Sequence, residues 1–205
     1  MVLTCAVSLI WTLRRQHLPD TQRWYFVALI LAFVVENSSA ALLITDQNNA
    51  WLYNLYVPLE FYLLAIMAER ILNKRWSTAL AAVGGAGYAA LYLYEVTREG
   101  AFDLLDSRST LLAYAIQTVL YAALLIELAE RTTTVLWREQ RFWVFLSVFL
   151  FMGPVIPYVG MMNEVYQRDA MLANSLFLIV DVLFILRYSA ALIAGLMIFD
   201  PERST

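Results

Sequence analysis

The chain has 205 residues, 61% of them hydrophobic and 15% charged, with a mean hydropathy of +0.64 and a net charge of −3. Soluble domains run about 45–50% apolar and about 25% charged, so this composition excludes a disordered chain, an ordinary cytosolic enzyme and, with no basic surplus, a nucleic-acid binder. Single copies of cysteine (Cys5), histidine (His17) and lysine (Lys74) exclude an intrachain disulfide, a histidine-based zinc site and, with Lys74 in a charged segment, a retinal Schiff base.

Seven apolar stretches follow in chain order, at 1–13, 24–45, 49–68, 76–94, 109–128, 141–161 and 172–197. A bilayer core of about 30 Å takes about 20 helical residues, and all but the first stretch reach that length. The first, at about 1.5 Å per residue, rises only about 20 Å. It reads as a partial helix or the end of a longer one. It is not read as a signal peptide, because Arg14 and Arg15 follow its apolar part and no basic residue precedes it. The expected fold is all-α: one polytopic bundle of seven transmembrane helices over 1–205, in the cell (inner) membrane.

The loops orient the bundle. Arg14, Arg15, Arg23, Arg70, Lys74, Arg75, Arg131, Arg138, Arg141 and Arg203 fall on one side, and only Arg98, Arg108 and Arg168 on the other. The positive-inside rule then puts the N-terminus out and the C-terminus in. Trp24, Trp76, Trp137 and Trp143 lie at the expected inner ends, and Trp51, Tyr94 and Tyr158 at or near the outer ends, as headgroup-level aromatics do. In the fourth stretch Ala81, Gly85 and Ala89 form a small-residue stripe, with Ala82, Ala86 and Ala90 beside it. Such stripes allow close helix approach. The expected use is packing within the bundle, with a homo-oligomer as the other use.

Polar residues inside the apolar stretches are the informative ones, since a midplane charge costs about 2.5–3.5 kcal/mol. By helical rise, Glu36 lies about 18 Å from the inner end of its helix, and Glu60 and Asp181 lie about 16 and 14 Å from the outer ends of theirs. The three carboxylates are expected together near the midplane, inside the bundle, and they are the candidate metal ligands. Helical spacing groups Glu36 and Ser39 on the second helix, with Asn37 beside them. Tyr53, Tyr56 and Glu60 share a face of the third, near Asn54. Tyr114, Gln117 and Tyr121 share a face of the fifth. Ser147, Pro154 and Tyr158 share a face of the sixth. Asn174, Asp181 and Tyr188 recur every seven residues on the seventh. Arg187 lies nearer the level of Glu127, so it is expected either to contact Glu127 or to snorkel to the interface. Gly153, Pro154 and Pro157 mark a bend in the sixth helix.

Three carboxylates at one depth repel unless a proton, cation or ligand joins them. Cation or proton binding or conduction is the leading expectation. A small-ligand sensor signalling through a partner protein is the second, favoured by a tyrosine-lined interior without an output domain. An intramembrane lipid-modifying enzyme using carboxylate acid and base is the third. The string Asn49-Ala50-Trp51-Leu52-Tyr53-Asn54-Leu55-Tyr56-Val57-Pro58-Leu59-Glu60-Phe61, with Glu36 and with Arg141-Phe142-Trp143, resembles one in small, uncharacterised seven-helix membrane proteins of bacteria. Those proteins often carry an acid in the fifth helix where this chain has Gln117. The resemblance implies the fold and picks out residues, but no activity.

Overall fold

A computed structural model describes residues 2–45, 47–98, 107–133, 135–168 and 170–198. Arg203, counted above toward the orientation, lies outside them. Among the described residues there are seven α-helices and no strand: α1 (Val2–Arg14), α2 (Asp20–Ile44), α3 (Ala50–Leu72), α4 (Arg75–Arg98), α5 (Ser107–Arg131), α6 (Gln140–Arg168) and α7 (Ala170–Met197). Each expected stretch is one helix. Five helices are long and apolar enough to cross a membrane: α2, α4, α5, α6 and α7. The chain is therefore a multi-pass, all-α membrane protein.

Helix ends follow local chemistry. Helix α3 stops at Asn73, whose φ of 46° is left-handed and whose N–H bonds the Glu69 carbonyl at 2.8 Å. Asparagine tolerates that conformation and ends helices for that reason. The α3–α4 connection is then held by Ser77, whose hydroxyl donates to the Lys74 carbonyl at 2.8 Å. Helix α5 starts on a carboxylate: Glu95 of α4 accepts from the backbone N–H groups of Arg108 at 3.1 Å and Ser109 at 3.0 Å. First-turn N–H groups have no partner within their own helix and carry partial positive charge, so an anion there is favourable. Helix α6 runs through Pro154 and Pro157 without breaking.

The chain folds as two compact units. The first covers Pro19–Ile116 and the second Val2–Leu18 with Gln117–Thr205. In the first, α3 packs against α2 and α4 and buries residues at nearly every turn, from Asn54 to Leu72. Phe61, Tyr62 and Tyr88 form an aromatic cluster between α3 and α4, with Phe61 and Tyr88 centroids 4.8 Å apart. Gly85 of the small-residue stripe is buried there, and its carbonyl accepts from the Tyr62 hydroxyl at 3.0 Å. A Cβ on Gly84 would come within 2.7 Å of Ile116, so these glycines serve close packing inside this unit. Ala82, Ala86 and Ala90 are exposed.

In the second unit α7 packs against α6 and α1. The Trp11 indole donates to the Ala191 carbonyl at 2.9 Å, and Arg14 donates to the Gly195 carbonyl. Ile10, Trp11 and Arg14 of α1 all meet α7 around Gly195.

Candidate functional site

In the first unit the expected polar residues of α2 and α3 form a seam. Ser39 is buried in α2 and accepts from the Asn49 side-chain amide at 2.7 Å. Asn49 sits just before α3, so this bond ties the end of one helix to the start of the next. Tyr53, one turn into α3, lies close to Ser39 and Glu36 of α2. Glu36 is half-buried on α2, three residues before Ser39. Asn37 is half-buried and spends its amide on the Phe33 carbonyl at 2.7 Å. That bond turns it back onto its own helix. Deeper along α3, Asn54, Tyr56 and Glu60 are all buried, with Glu60 only 1% exposed. Expected residues from α2 and α3 therefore do meet, and Asn49 joins them. A polar residue in the cap position before a helix was the available signal for Asn49.

The second unit departs from expectation at α7. Asp181 is exposed rather than buried. Val180, Leu183, Arg187, Ala191 and Ala194 mark the buried arc of this helix, and at about 100° per residue Asp181 falls off its edge. Its neighbours Leu178, Val182 and Ile185 are exposed too. The seven-residue spacing put Asp181 and Tyr188 on one face, yet Tyr188 is buried. The difference is local cover: the Tyr188 ring stacks on Phe184 at 6.2 Å. The Asn174 side chain lies outside the described residues.

Arg187 departs from the snorkelling expectation. It is 1% exposed, so it does not snorkel. Its guanidinium lies over the Phe151 ring at 4.9 Å and the Tyr188 ring at 5.7 Å. Planar guanidinium groups stack on ring faces in this way. Glu127 is buried and pairs with Arg131 at 2.5 Å.

On α5, Tyr114, Gln117 and Tyr121 are all buried. On α6 Ser147 is buried and spends its hydroxyl on the Val144 carbonyl at 2.7 Å. Pro154 is exposed and Tyr158 half-buried. Tyr158 feels the charge of Asp181. It also borders an open, apolar cavity of about 160 Å³ with Pro154, Pro157 and Met161 of α6 and Leu176 and Ile179 of α7.

No three histidine, cysteine, aspartate or glutamate residues among the described ones are grouped to hold a metal ion. The α2–α3 seam offers one half-buried carboxylate, one fully buried carboxylate, three hydroxyls and amides. That set can bind and pass a proton or solvate a small cation. No protein-family model, curated protein or solved structure matches the chain.

Proposed function

We propose that the chain crosses the cell (inner) membrane seven times, N-terminus out and C-terminus in, and binds a proton or small cation at Glu36 and Glu60 of α2 and α3. One observation carries this reading: Glu60, midway along α3, is 1% exposed. A carboxylate removed from water to that degree costs several kcal/mol. It is tolerated where a proton, a cation or aimed donors compensate it, and buried intramembrane acids of this kind mark ion and proton sites.

The topology rests on two supports. The positive residues divide strongly between the two sets of loops. Helix α3, outside the five apolar spans, has 23 residues and rises about 35 Å, enough to cross as an interior helix. The resemblance to small seven-helix bacterial membrane proteins agrees with this topology.

Thermal unfolding of the detergent-purified protein over a pH series and in sodium, potassium and calcium salts tests the function. We expect a pH- or cation-dependent midpoint in the parent protein that Glu60→Gln flattens. A midpoint indifferent to both variables removes the reading. Reporter fusions at each terminus test the orientation independently.

A further inference from the structure

We propose that the end of the first unit made by the start of α2, the end of α3 and the start of α4 binds the phosphodiester headgroup of an anionic phospholipid through Arg70, Lys74 and Arg75.

Two contacts bring these three helix ends to one level. The Arg70 guanidinium of α3 lies over the Trp24 ring of α2, 5.1 Å from its centroid. The Thr78 hydroxyl of α4 donates to the Glu69 carboxylate of α3 at 2.9 Å. Arg70 follows Glu69 directly, and Arg75 opens α4 one turn before Thr78. Both arginines therefore stand within about a turn of the Glu69–Thr78 bond. Lys74 lies in the short connection between them, where its carbonyl accepts from the Ser77 hydroxyl at 2.8 Å.

This end lies at a membrane surface. Helices α2 and α4 are both long and apolar enough to cross a membrane, starting from Asp20 and from Arg75. Each carries an indole near its start: Trp24 is half-buried and Trp76 exposed. Indoles at such helix ends sit among lipid headgroups.

The charge at this end is positive. Arg70, Lys74 and Arg75 are all exposed. Of the acids nearby, Asp20 pairs with Arg23 at 3.1 Å and Glu69 accepts from Thr78. Among the described residues neither Arg70 nor Arg75 forms an ion pair. Stacking on Trp24 occupies the face of the Arg70 guanidinium. Its N–H donors lie at the edge of that plane, in a fork that matches two oxygens of one phosphate. The indole thus holds the arginine at headgroup level with its donors unspent by the stack. A zwitterionic headgroup adds an ammonium that these side chains repel, so a net anionic lipid fits better. In the orientation proposed above this is the cytoplasmic leaflet, whose anionic lipids attract basic segments. Glu60 lies about 15 Å away along α3, so this site stands or falls separately from the proton or cation site.

The test is native mass spectrometry of the full chain in detergent, titrated with dioleoylphosphatidylglycerol, dioleoylphosphatidylcholine or inorganic phosphate. Phosphatidylglycerol should bind more tightly than phosphatidylcholine, and inorganic phosphate should not displace it. Arg70→Gln and Arg75→Gln should each weaken phosphatidylglycerol binding about 5-fold, the scale of one basic residue at an anionic surface. Both should leave phosphatidylcholine binding unchanged. Arg70→Lys should fall between the parent and Arg70→Gln, because it keeps the charge and loses the stacked fork. Arg138→Gln removes an exposed positive charge from the second unit and should change neither affinity. Arg75→Gln serves alone if Arg70→Gln does not fold. Equal affinity for the two lipids, unchanged affinity in the glutamine variants, or the same loss in Arg138→Gln overturns the site. Displacement by inorganic phosphate overturns a lipid as its occupant.

Discussion

Trp11 on α1 donates its indole N–H to the backbone carbonyl of Ala191 on α7 at 2.9 Å. The ring is fully buried, and it fits because residue 195 is glycine. A Cβ there would sit 2.7 Å from the Trp11 nitrogen. This contact fixes how a helix of only 13 residues is held. Trp11→Phe should lower stability by about 0.5–1.5 kcal/mol, the net worth of one hydrogen bond. Gly195→Leu should do more, because its side chain displaces the indole. Hydrogen exchange should then show α1 losing protection while α6 keeps it. Full protection of α1 in Gly195→Leu would contradict the contact.

The Glu95 carboxylate closes the α4–α5 pair by accepting from two N–H groups of the α5 start. Hydrogen bonds to a charged acceptor are worth about 1.5–3 kcal/mol each when buried. Glu95→Ala removes both and should lower the unfolding midpoint clearly. Glu95→Gln keeps one acceptor oxygen and should fall between Glu95→Ala and the parent. Equal midpoints for the three proteins would show that water caps the helix equally well.

Arg187 is buried between the rings of Phe151 and Tyr188. A desolvated cation–π contact is worth about 2 kcal/mol. Arg187→Gln should cost at least that much. Arg187→Lys should not rescue it, since a lysine ammonium lacks the planar face that stacks on the rings. A full rescue by lysine in thermal unfolding would show that charge alone matters at this position.

Asp181 should behave in the opposite way. It stands on an exposed face with Leu178, Val182 and Ile185, near the start of the apolar span Leu178–Met197, where an ionised group costs up to the mid-span value of about 2.5–3.5 kcal/mol. Asp181→Leu should therefore raise the unfolding midpoint in detergent or lipid. A clear fall would mean that the carboxylate serves a contact of its own, with the Tyr158 hydroxyl the first to check.

Much of this molecule was legible in its residues. Apolar runs ended by polar turns, six of them of bilayer length, located the seven helices, because a helix in lipid satisfies its backbone internally and needs little from its neighbours. Three-and-four spacing placed Tyr114, Gln117 and Tyr121 on the buried face of α5. The same spacing put Tyr56 and Glu60 on a buried face of α3. Spacing names the residues that share a face but not the width of the covering neighbour. Asp181 and Tyr188 show the difference: equal in register, one is exposed and the other lies under a stacked ring.

Side-chain reach was equally illegible. By sequence Arg187 had two outlets, an acid at its level or the interface; its burial excludes the interface, and no spacing records the rings of Phe151 and Tyr188 that flank it. The bond from Asn49 to Ser39 joins residues ten apart through a helix end, and no periodic pattern records it. Local sequence determined which segments are helices, because lipid makes that decision segment by segment. Which polar residues of α2 and α3 meet, which carboxylate faces outward and how α1 is held were decided by packing. Those outcomes depend on the shapes of side chains from different helices at the same level.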